Sequence, residues 1–259
     1  MVHVSASPAP AAAGNVGLPS KKQMTSSIQG PADTRFSGTE NLEVMRDAVN
    51  YNRYLLDLIR SHAGNAKRVL DFGAGSGTFA GPISRLGFEV TAVELDEGLR
   101  AHLAKQGLRV AASTADLPPQ SFHYAYTFNV LEHIPDDVEA LRGLRAKLVP
   151  GACLLVYVPA FQVLYTSMDA NVGHVRRYSR DTLVRNVSAA GFAVEAVEYV
   201  DSLGFFATLA FRMTDRGNGD VNPRMLRIYD RIIFPISRAL DRVFHRWFGK
   251  NLLLVARNP

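Results

Sequence analysis

Short apolar runs alternate with segments of helical periodicity along most of this chain, and this alternation constrains the fold more than any other feature of the sequence. The runs that we predict to be strands cover 68–72, 89–94, 109–112, 124–128, 152–158, 192–199 and 251–256. The segments that we predict to be helices cover 78–86, 97–105, 137–148 and 180–190. Strands alternating with helices of this length indicate a mostly parallel sheet with helices on both faces. The prediction is an α/β fold with a seven-stranded sheet, completed by an antiparallel last strand.

The length of the chain fits one domain with additions. Its 259 residues, of which 47% are hydrophobic, suffice for one packed α/β domain but are few for two. Residues 1–34 are rich in Ala, Pro, Gly and Ser, so we predict a disordered tail there and a single domain over 35–259. Within that domain we expect residues 40–62 to form an N-terminal helical cap, and residues 222–248 to form a basic, amphipathic helical insertion.

Glycine and proline residues mark several predicted boundaries. Gly87 and Gly107 follow two of the predicted helices, at positions where helices commonly end. Pro150 and Gly151 should form the turn into the next strand. Pro235 should break the late helical stretch.

Composition also bears on the compartment and on partners. The N-terminus lacks a signal-peptide pattern, and no window approaches the roughly 20 apolar residues that span a bilayer, so we expect a cytoplasmic protein. The single Cys153 lies in an apolar run and is interpreted as a core residue. The net charge of +5 is modest, and neither a broad basic surface nor a recognition module is evident, so we do not expect nucleic-acid binding.

A glycine-rich segment follows the first predicted strand. Gly73, Gly75 and Gly77 are closely spaced there, and glycines allow a backbone to turn sharply and to approach a ligand closely. Dinucleotide-binding enzymes use the pattern G-x-G-x-x-G, which would require a third glycine where this chain has Thr78. The spacing therefore disfavours a dinucleotide site.

Asp71 lies two positions before the first of these glycines, and the combined pattern D-x-G-x-G-x-G resembles the cofactor motif of class I S-adenosylmethionine-dependent methyltransferases. Further segments resemble that family in the same order: Glu94 ends the second strand, 114–117 follow the third and 128–136 follow the fourth. The resemblance covers about 69–158. It implies a Rossmann-like class I methyltransferase fold, S-adenosyl-L-methionine as cofactor and S-adenosyl-L-homocysteine as product.

The resemblance also implies which residues bind the cofactor. Asp71 and the glycine loop should flank its methionine part, with Asn129 close by, and a carboxylate suits the positive sulfonium. Glu94 should accept hydrogen bonds from the ribose hydroxyls, and Asp116 should meet the adenine amino group. The implied set is Asp71, Gly73, Ala74, Gly75, Gly77, Glu94, Leu95, Asp116, Leu117 and Asn129.

The acceptor should lie beyond the carboxyl ends of the strands, where ligands gather in this fold. Residues 173–178 resemble a G-H-x-R-R-Y segment of a bacterial subgroup of these enzymes. The candidates for proton transfer are His174, His133 and Asp169, and those for binding an anionic acceptor are Arg176, Arg177 and Tyr178. The alternatives are a histidine that holds a loop and a salt-bridged arginine pair. No two candidate ligands show helical i, i+4 spacing, so we expect no metal.

The late insertion carries an apolar side and a basic side. The apolar residues are Met225, Ile228, Ile232, Ile236, Leu240, Val243 and Trp247, and the basic residues are Arg227, Arg231, Arg238, Arg242 and Arg246. The segment could be a lid, a membrane-surface helix or a homodimer contact, with packing against the domain slightly favoured.

The functional expectation is methyl transfer to a small molecule in bacterial specialised metabolism. Its acceptor would be apolar or isoprenoid-like, with or without a phosphate or diphosphate. One alternative is a methyltransferase acting on a membrane lipid or quinone precursor. A remoter one is a non-catalytic protein that binds the cofactor. The atom methylated, whether oxygen, nitrogen or carbon, is left open.

Overall fold

The computed structural model describes residues 47–215 and 223–259. The predicted tail, the first part of the predicted cap (40–46) and the first position of the predicted late insertion lie outside these residues. Among the described residues, no helix is long and apolar enough to cross a membrane.

Seven strands of the described chain form one sheet, which confirms the predicted α/β architecture. The strands are β1 Arg68–Phe72, β2 Glu89–Val93, β3 Arg109–Ala111, β4 Phe122–Phe128, β5 Leu148–Pro159, β6 Ala193–Val200 and β7 Asn251–Arg257. Their order is β3-β2-β1-β4-β5-β7-β6. Strands β1 to β5 pair in parallel, whereas β7 is antiparallel to both β5 and β6. The carboxyl ends of β1, β2, β4 and β5 therefore share one edge, where the predicted site residues lie.

Helices cover both faces of this sheet. They are α1 Val49–Ala63, α2 Ala80–Arg85, α3 Glu97–Lys105, α4 Asp137–Arg145, α5 Ser167–Asn171, α6 Arg180–Ala189, α7 Ser202–Thr214, α8 Pro223–Ile228 and α9 Phe234–Phe244. Because side chains alternate along a strand, Val69 and Leu70 of β1 point to opposite faces of the sheet. Val69 lies in one hydrophobic core, here called the first core, and Leu70 lies in another, the second core. Leu55 of α1 packs into the first core, together with residues of α2 and α3. Leu141 of α4 packs into the second core, together with residues of α6.

Two predicted breaks are wrong, for local reasons. Pro150 and Gly151 lie inside β5, where the register with β4 shifts and Gly151 has a φ of +79°. Such an irregularity tolerates a residue without an N–H group. Pro235 likewise does not end the late helix, because a π-helical turn, Tyr229–Ile233, precedes it and the proline lies at the start of α9.

The helices α8 and α9, with the π-turn between them, are here called the late helices, and buried carboxylates join them to the rest of the fold. Asp230 accepts hydrogen bonds of 2.9 Å from the backbone N–H groups of Asn50 and Tyr51, at the start of α1. Asp241 accepts 2.9 and 2.8 Å bonds from the N–H groups of Asp201 and Ser202, at the start of α7. A carboxylate satisfies the unpaired donors and complements the dipole of a helix N-terminus. The late helices therefore hold α1 and α7 in place, and α7 is a helix that the sequence did not predict.

The late segment does pack against the domain, which was the favoured interpretation, but it does not do so through the apolar residues named from the sequence. The inward side is formed instead by Asp230, Phe234, Ser237 and Asp241. Six of the seven apolar residues named from the sequence are at least half exposed: Met225, Ile228, Ile232, Ile236, Val243 and Trp247. Polar anchoring of the opposite side leaves this apolar stripe facing outward.

Candidate cofactor and acceptor site

The glycine loop at the end of β1 adopts a backbone that requires glycine. Gly73, Gly75 and Gly77 all have positive φ angles, +83°, +54° and +83°, a region that L side chains disfavour. The N–H of Gly73 donates to the carbonyl of Val93 at 2.8 Å, which ties the loop to β2. A Cβ added at Gly73 would overlap the side chain of Val130. The loop is therefore packed directly against the segment that follows β4.

Asp71 precedes this loop on β1 and is almost fully buried. Its carboxylate accepts a 2.8 Å hydrogen bond from the hydroxyl of Tyr126 on the neighbouring β4. Burial raises the pKa of Asp71 to about 7, although the Tyr126 bond opposes the rise and the nearby Glu94 adds to it. A cation placed beside Asp71 would favour its charged form. The position thus suits the positively charged methionine part of the cofactor.

Glu94 lies just beyond β2 and is hydrogen-bonded to the glycine loop. Its Oε2 accepts a 2.8 Å bond from the N–H of Gly75, and its Oε1 accepts a 2.9 Å bond from the N–H of Asp96. Each carboxylate oxygen retains a further lone pair, so ribose hydroxyls can still bind as predicted. Leu95, next in the chain, is 85% exposed at the same edge.

The predicted adenine residues follow β3. Asp116 ends a short 3-10 helix, Thr114–Asp116, and its Oδ2 accepts a 2.9 Å bond from the N–H of Ser113. The carbonyl of Leu117 accepts a 2.8 Å bond from Lys147 Nζ. Asp116 is exposed and Leu117 half-buried, so both remain accessible. Their contact with adenine stays a prediction.

Asn129 follows β4 with a left-handed backbone, φ +54°, and its N–H donates to the carbonyl of Tyr157 at 2.8 Å. Tyr51 of α1, which sequence reasoning missed, lies against the side chains of Asn129 and Tyr157. Burial raises the pKa of Tyr51 to about 12, while these two contacts oppose the rise. The helix α1 thus covers the carboxyl ends of β4 and β5. No local pattern in the sequence marks Tyr51, because its place depends on the docking of α1 by Asp230.

His174 and Asp169, both predicted as candidates for proton transfer, form one hydrogen-bonded unit. His174 Nδ1 lies 2.7 Å from Asp169 Oδ1. The guanidinium of Arg177 donates two hydrogen bonds of 2.8 and 2.9 Å to the same carboxylate. The backbone N–H of Thr166 donates a third bond to it, at 2.9 Å. Although burial opposes it, these contacts hold the pKa of Asp169 well below its usual range. These contacts favour the ionised form of Asp169, which positions the ring of His174.

Glu132 and His133 lie in the 3-10 turn Leu131–His133, on the other side of His174. The imidazole rings of His133 and His174 have centroids 4.7 Å apart. Burial lowers the pKa of His133 to about 4, and burial raises that of the fully enclosed Glu132 to about 8. The structure thus brings His133, His174 and Asp169 together, with Glu132 beside them, and their roles in proton transfer stay predictions.

The three residues predicted to bind an acceptor anion have other partners, which corrects that expectation. The Arg177 side chain is 7% exposed and pairs with Asp169. Arg176 pairs with Asp137 at 3.1 Å, and the buried Tyr178 donates its hydroxyl to Asp137 at 2.6 Å. Their charges and hydrogen bonds are thus used within the fold, because the G-H-x-R-R-Y segment braces its own loop against α4 and α5.

Comparison with known proteins agrees with this geometry. A family model described as a methyltransferase domain matches residues 44–197. A ubiquinone biosynthesis O-methyltransferase of Caulobacter sp. (strain K31) is 36% identical over 99 residues, which are 34% of this chain and 39% of that protein. The protein of the same description from Azoarcus sp. (strain BH72) is 29% identical over 163 residues, 59% of this chain and 60% of its own length. The chain thus spans about 40% to 60% of these relatives.

Solved structures share the fold at low sequence identity. An S-adenosylmethionine-dependent methyltransferase from Thermotoga maritima has a TM-score of 0.59 at 15% identity, covering 85% of this chain and 95% of its own. The 1,6-didemethyltoxoflavin-N1-methyltransferase of Burkholderia thailandensis, solved with its substrate and S-adenosylhomocysteine, has a TM-score of 0.54 at 20% identity, covering 85% and 83%.

Proposed function

This chain belongs to the class I S-adenosylmethionine-dependent methyltransferases, and from that premise we propose that it methylates an oxygen atom of an apolar, aromatic small molecule of the quinone-precursor kind. S-adenosylmethionine is its methyl donor, and S-adenosylhomocysteine is the product that remains. The choice of oxygen and of a quinone-like acceptor is supported by the two relatives described above, which are named as O-methyltransferases of ubiquinone biosynthesis.

The observation that carries this proposal is a cluster of aromatic side chains packed against one another at the carboxyl ends of β4 and β5, here called the aromatic enclosure. The ring centroid of Tyr51 lies 6.2 Å from that of Tyr157 and 5.4 Å from that of Phe234 on α9. Phe128, at the end of β4, lies 5.7 Å from Tyr157. Aromatic walls suit a planar ring, which they contact edge to face or offset. The enclosure adjoins Asn129, where the methionine part of the cofactor is expected.

The polar side chains that follow β4 suit an acceptor hydroxyl at the rim of this enclosure. In the proposed reaction the hydroxyl oxygen attacks the methyl carbon in line, the bond from carbon to sulfur breaks, and the sulfur keeps the electron pair. The hydroxyl proton leaves to water beside the cluster of Glu132, His133 and His174. Most of the acceleration would come from alignment of the oxygen with the methyl group.

The test is a methyl-transfer assay with three acceptor classes: a polyprenylated catechol, an isoprenoid diphosphate and an aromatic amine. We expect transfer to the catechol. In the Tyr51→Leu variant, the KM for the catechol should rise about fivefold, in keeping with a lost aromatic contact of about 1 kcal/mol, while the affinity for S-adenosylhomocysteine is unchanged. Tyr54→Leu is the matched control, because Tyr54 lies one turn later on α1, where its ring contacts Arg238 and Phe234 and, among the described ring pairs, neither Tyr157 nor Phe128. Transfer to the amine or the diphosphate alone, or equal KM values in both variants, would contradict the proposal.

The exposed stripe of the late helices favours a second candidate feature, delivery of the acceptor from a membrane surface. Exposed arginines border the stripe at positions 224, 231, 242 and 246, and a fifth, Arg227, pairs with Asp47 at 3.2 Å, while the two acids of the segment, Asp230 and Asp241, are buried. An apolar face bordered by cations is typical of helices that lie on anionic lipid. We therefore propose that the late helices dock on an anionic membrane surface that holds the apolar acceptor.

Cosedimentation with lipid vesicles distinguishes membrane docking of the late helices from a homodimer contact. The protein should sediment with vesicles that contain phosphatidylglycerol, more weakly with pure phosphatidylcholine, and much less after Ile232→Asp. Leu86→Asp is the matched control, since Leu86 is an exposed leucine at the end of α2, far along the chain from the stripe. Absence of binding, or a dimer in solution that Ile232→Asp dissociates, would refute membrane docking.

A further inference from the structure

We propose that Glu132, His133 and His174 bind a divalent transition-metal ion, for which Zn²⁺ is the best match. This binding site does not depend on which acceptor is methylated. It also replaces the sequence-based expectation of no metal, which rested on ligand spacing within one helix.

The three side chains already converge. One ligand atom from each lies within 4.8 Å of the others, and His174 Nε2 is 3.7 Å from Glu132 Oε1. Ligands around a tetrahedral zinc, with bonds of about 2.0 to 2.2 Å, lie roughly 3.3 Å apart. Side-chain movements of about 1 Å would therefore complete the geometry.

Glu132 provides an independent indication of a cation. Its side chain is 0% exposed, and neither carboxylate oxygen has a hydrogen-bond partner among the described residues. Buried polar groups are nearly always paired, and an unpaired buried carboxylate is costly. A divalent ion between Glu132 and the two imidazoles would satisfy both the charge and the lone pairs.

The surroundings of His174 match those of a metal-bound histidine. Such a histidine characteristically gives its other ring nitrogen to a carboxylate, which fixes the ring and its tautomer. Asp169 holds His174 Nδ1 at 2.7 Å and leaves Nε2 directed toward Glu132. Asp169 is itself fixed by Arg177. His133 is held in turn by the backbone of Val172 and Gly173.

The chemistry of the ligand set selects the class of ion. Two imidazoles and one carboxylate suit zinc and its neighbours, whereas Mg²⁺ and Ca²⁺ prefer oxygen ligands throughout. Three protein ligands also leave a coordination position for water or for an oxygen of the acceptor. The sequence did not reveal this set because its members come from two loops, the turn after β4 and the loop after α5.

The experiment is titration of the full-length, chelator-treated protein with ZnCl₂ by calorimetry, together with the visible absorption of Co²⁺ as a substitute ion. We expect one equivalent of zinc per chain with micromolar affinity or better, and at least a hundredfold loss in Glu132→Gln and in His133→Gln. His102→Gln, which changes an exposed histidine of α3, should bind like the parent. Circular dichroism would confirm that each variant is folded.

Two results would overturn the proposal. If the parent binds no zinc, Glu132 is a neutral partner of His174 instead of a ligand. If the parent and both cluster variants bind equally while His102→Gln binds less, the zinc is adventitious and lies on the surface. Neither readout involves methyl transfer, so failure of the acceptor assay would leave this test intact.

Discussion

Replacing Gly73 by alanine tests whether the packing between the cofactor loop and the segment after β4 determines the loop's shape. The substitution has two expected penalties. A left-handed backbone costs an L residue about 1–2 kcal/mol, and Gly73 has a φ of +83°. Overlap of the new Cβ with the side chain of Val130 adds about 1–3 kcal/mol of overpacking. Together they should lower the free energy of unfolding by about 2–5 kcal/mol.

Gly107→Ala is a matched control for the first penalty. Gly107 has nearly the same backbone angle, φ +80°, but a Cβ there would have no neighbour within 4 Å. It should therefore lose only about 1–2 kcal/mol in urea unfolding of the cofactor-free protein. Adding Val130→Ala to the Gly73→Ala variant should relieve the overlap. Val130→Ala should therefore lower the free energy of unfolding much less in the Gly73→Ala variant than in the parent. Equal losses in Gly73→Ala and Gly107→Ala, or no coupling with Val130, would refute the packing argument.

Four further outcomes follow from the buried acids. Because burial raises the pKa of Asp71 to about 7, affinity for the cationic cofactor should fall about tenfold per pH unit below pH 7 and lose that slope in Asp71→Asn. In the cofactor-free folded protein the Asp71 carboxyl keeps its proton up to about pH 7, whereas in the unfolded chain it loses the proton near pH 4. The free energy of unfolding should therefore decline as the pH rises from about 4 to about 7, which urea titrations would measure. Arg177→Ala should lower that free energy by about 3–5 kcal/mol, because Asp169 stays buried without its partner, whereas Arg242→Ala on the surface should change it by less than about 0.5. Asp230→Ala should cost about 1–2 kcal/mol and speed amide exchange in α1 more than in the sheet.

The sheet and the cofactor loop could be predicted because their signals are local. Strand and helix periods follow from which side chains face the core, and every predicted strand has a counterpart in the structure. The shape of the glycine loop likewise follows from backbone sterics at single positions such as Gly73. Boundaries failed where tertiary context tolerated a proline, as at Pro150 in β5 and Pro235 after a π-turn.

The acceptor side could be predicted only in part, because its geometry depends on pairings between distant segments. The sequence predicted Arg177 and Asp169 near the site. The ion pair between them, which occupies the Arg177 side chain, could not be predicted from sequence patterns. The residues that join the late helices to the fold could not be found from hydrophobic periodicity, because they are Asp230 and Asp241, and polar anchors at helix termini leave no hydrophobic signal. Glu132 was not chosen as a candidate site residue, since the isolation of its carboxylate from hydrogen-bond partners is a property of the packed structure.

The central claim, that β1 and β2 present the cofactor site through Asp71 and Glu94, is tested most directly by calorimetric titration with S-adenosylhomocysteine. The parent and Asp181→Ala, which alters an exposed acid of α6, should bind in the micromolar range. Asp71→Ala and Glu94→Ala should bind at least about tenfold more weakly, a loss of about 1.4 kcal/mol or more. Equal affinity in all four proteins would contradict the assignment of the cofactor site.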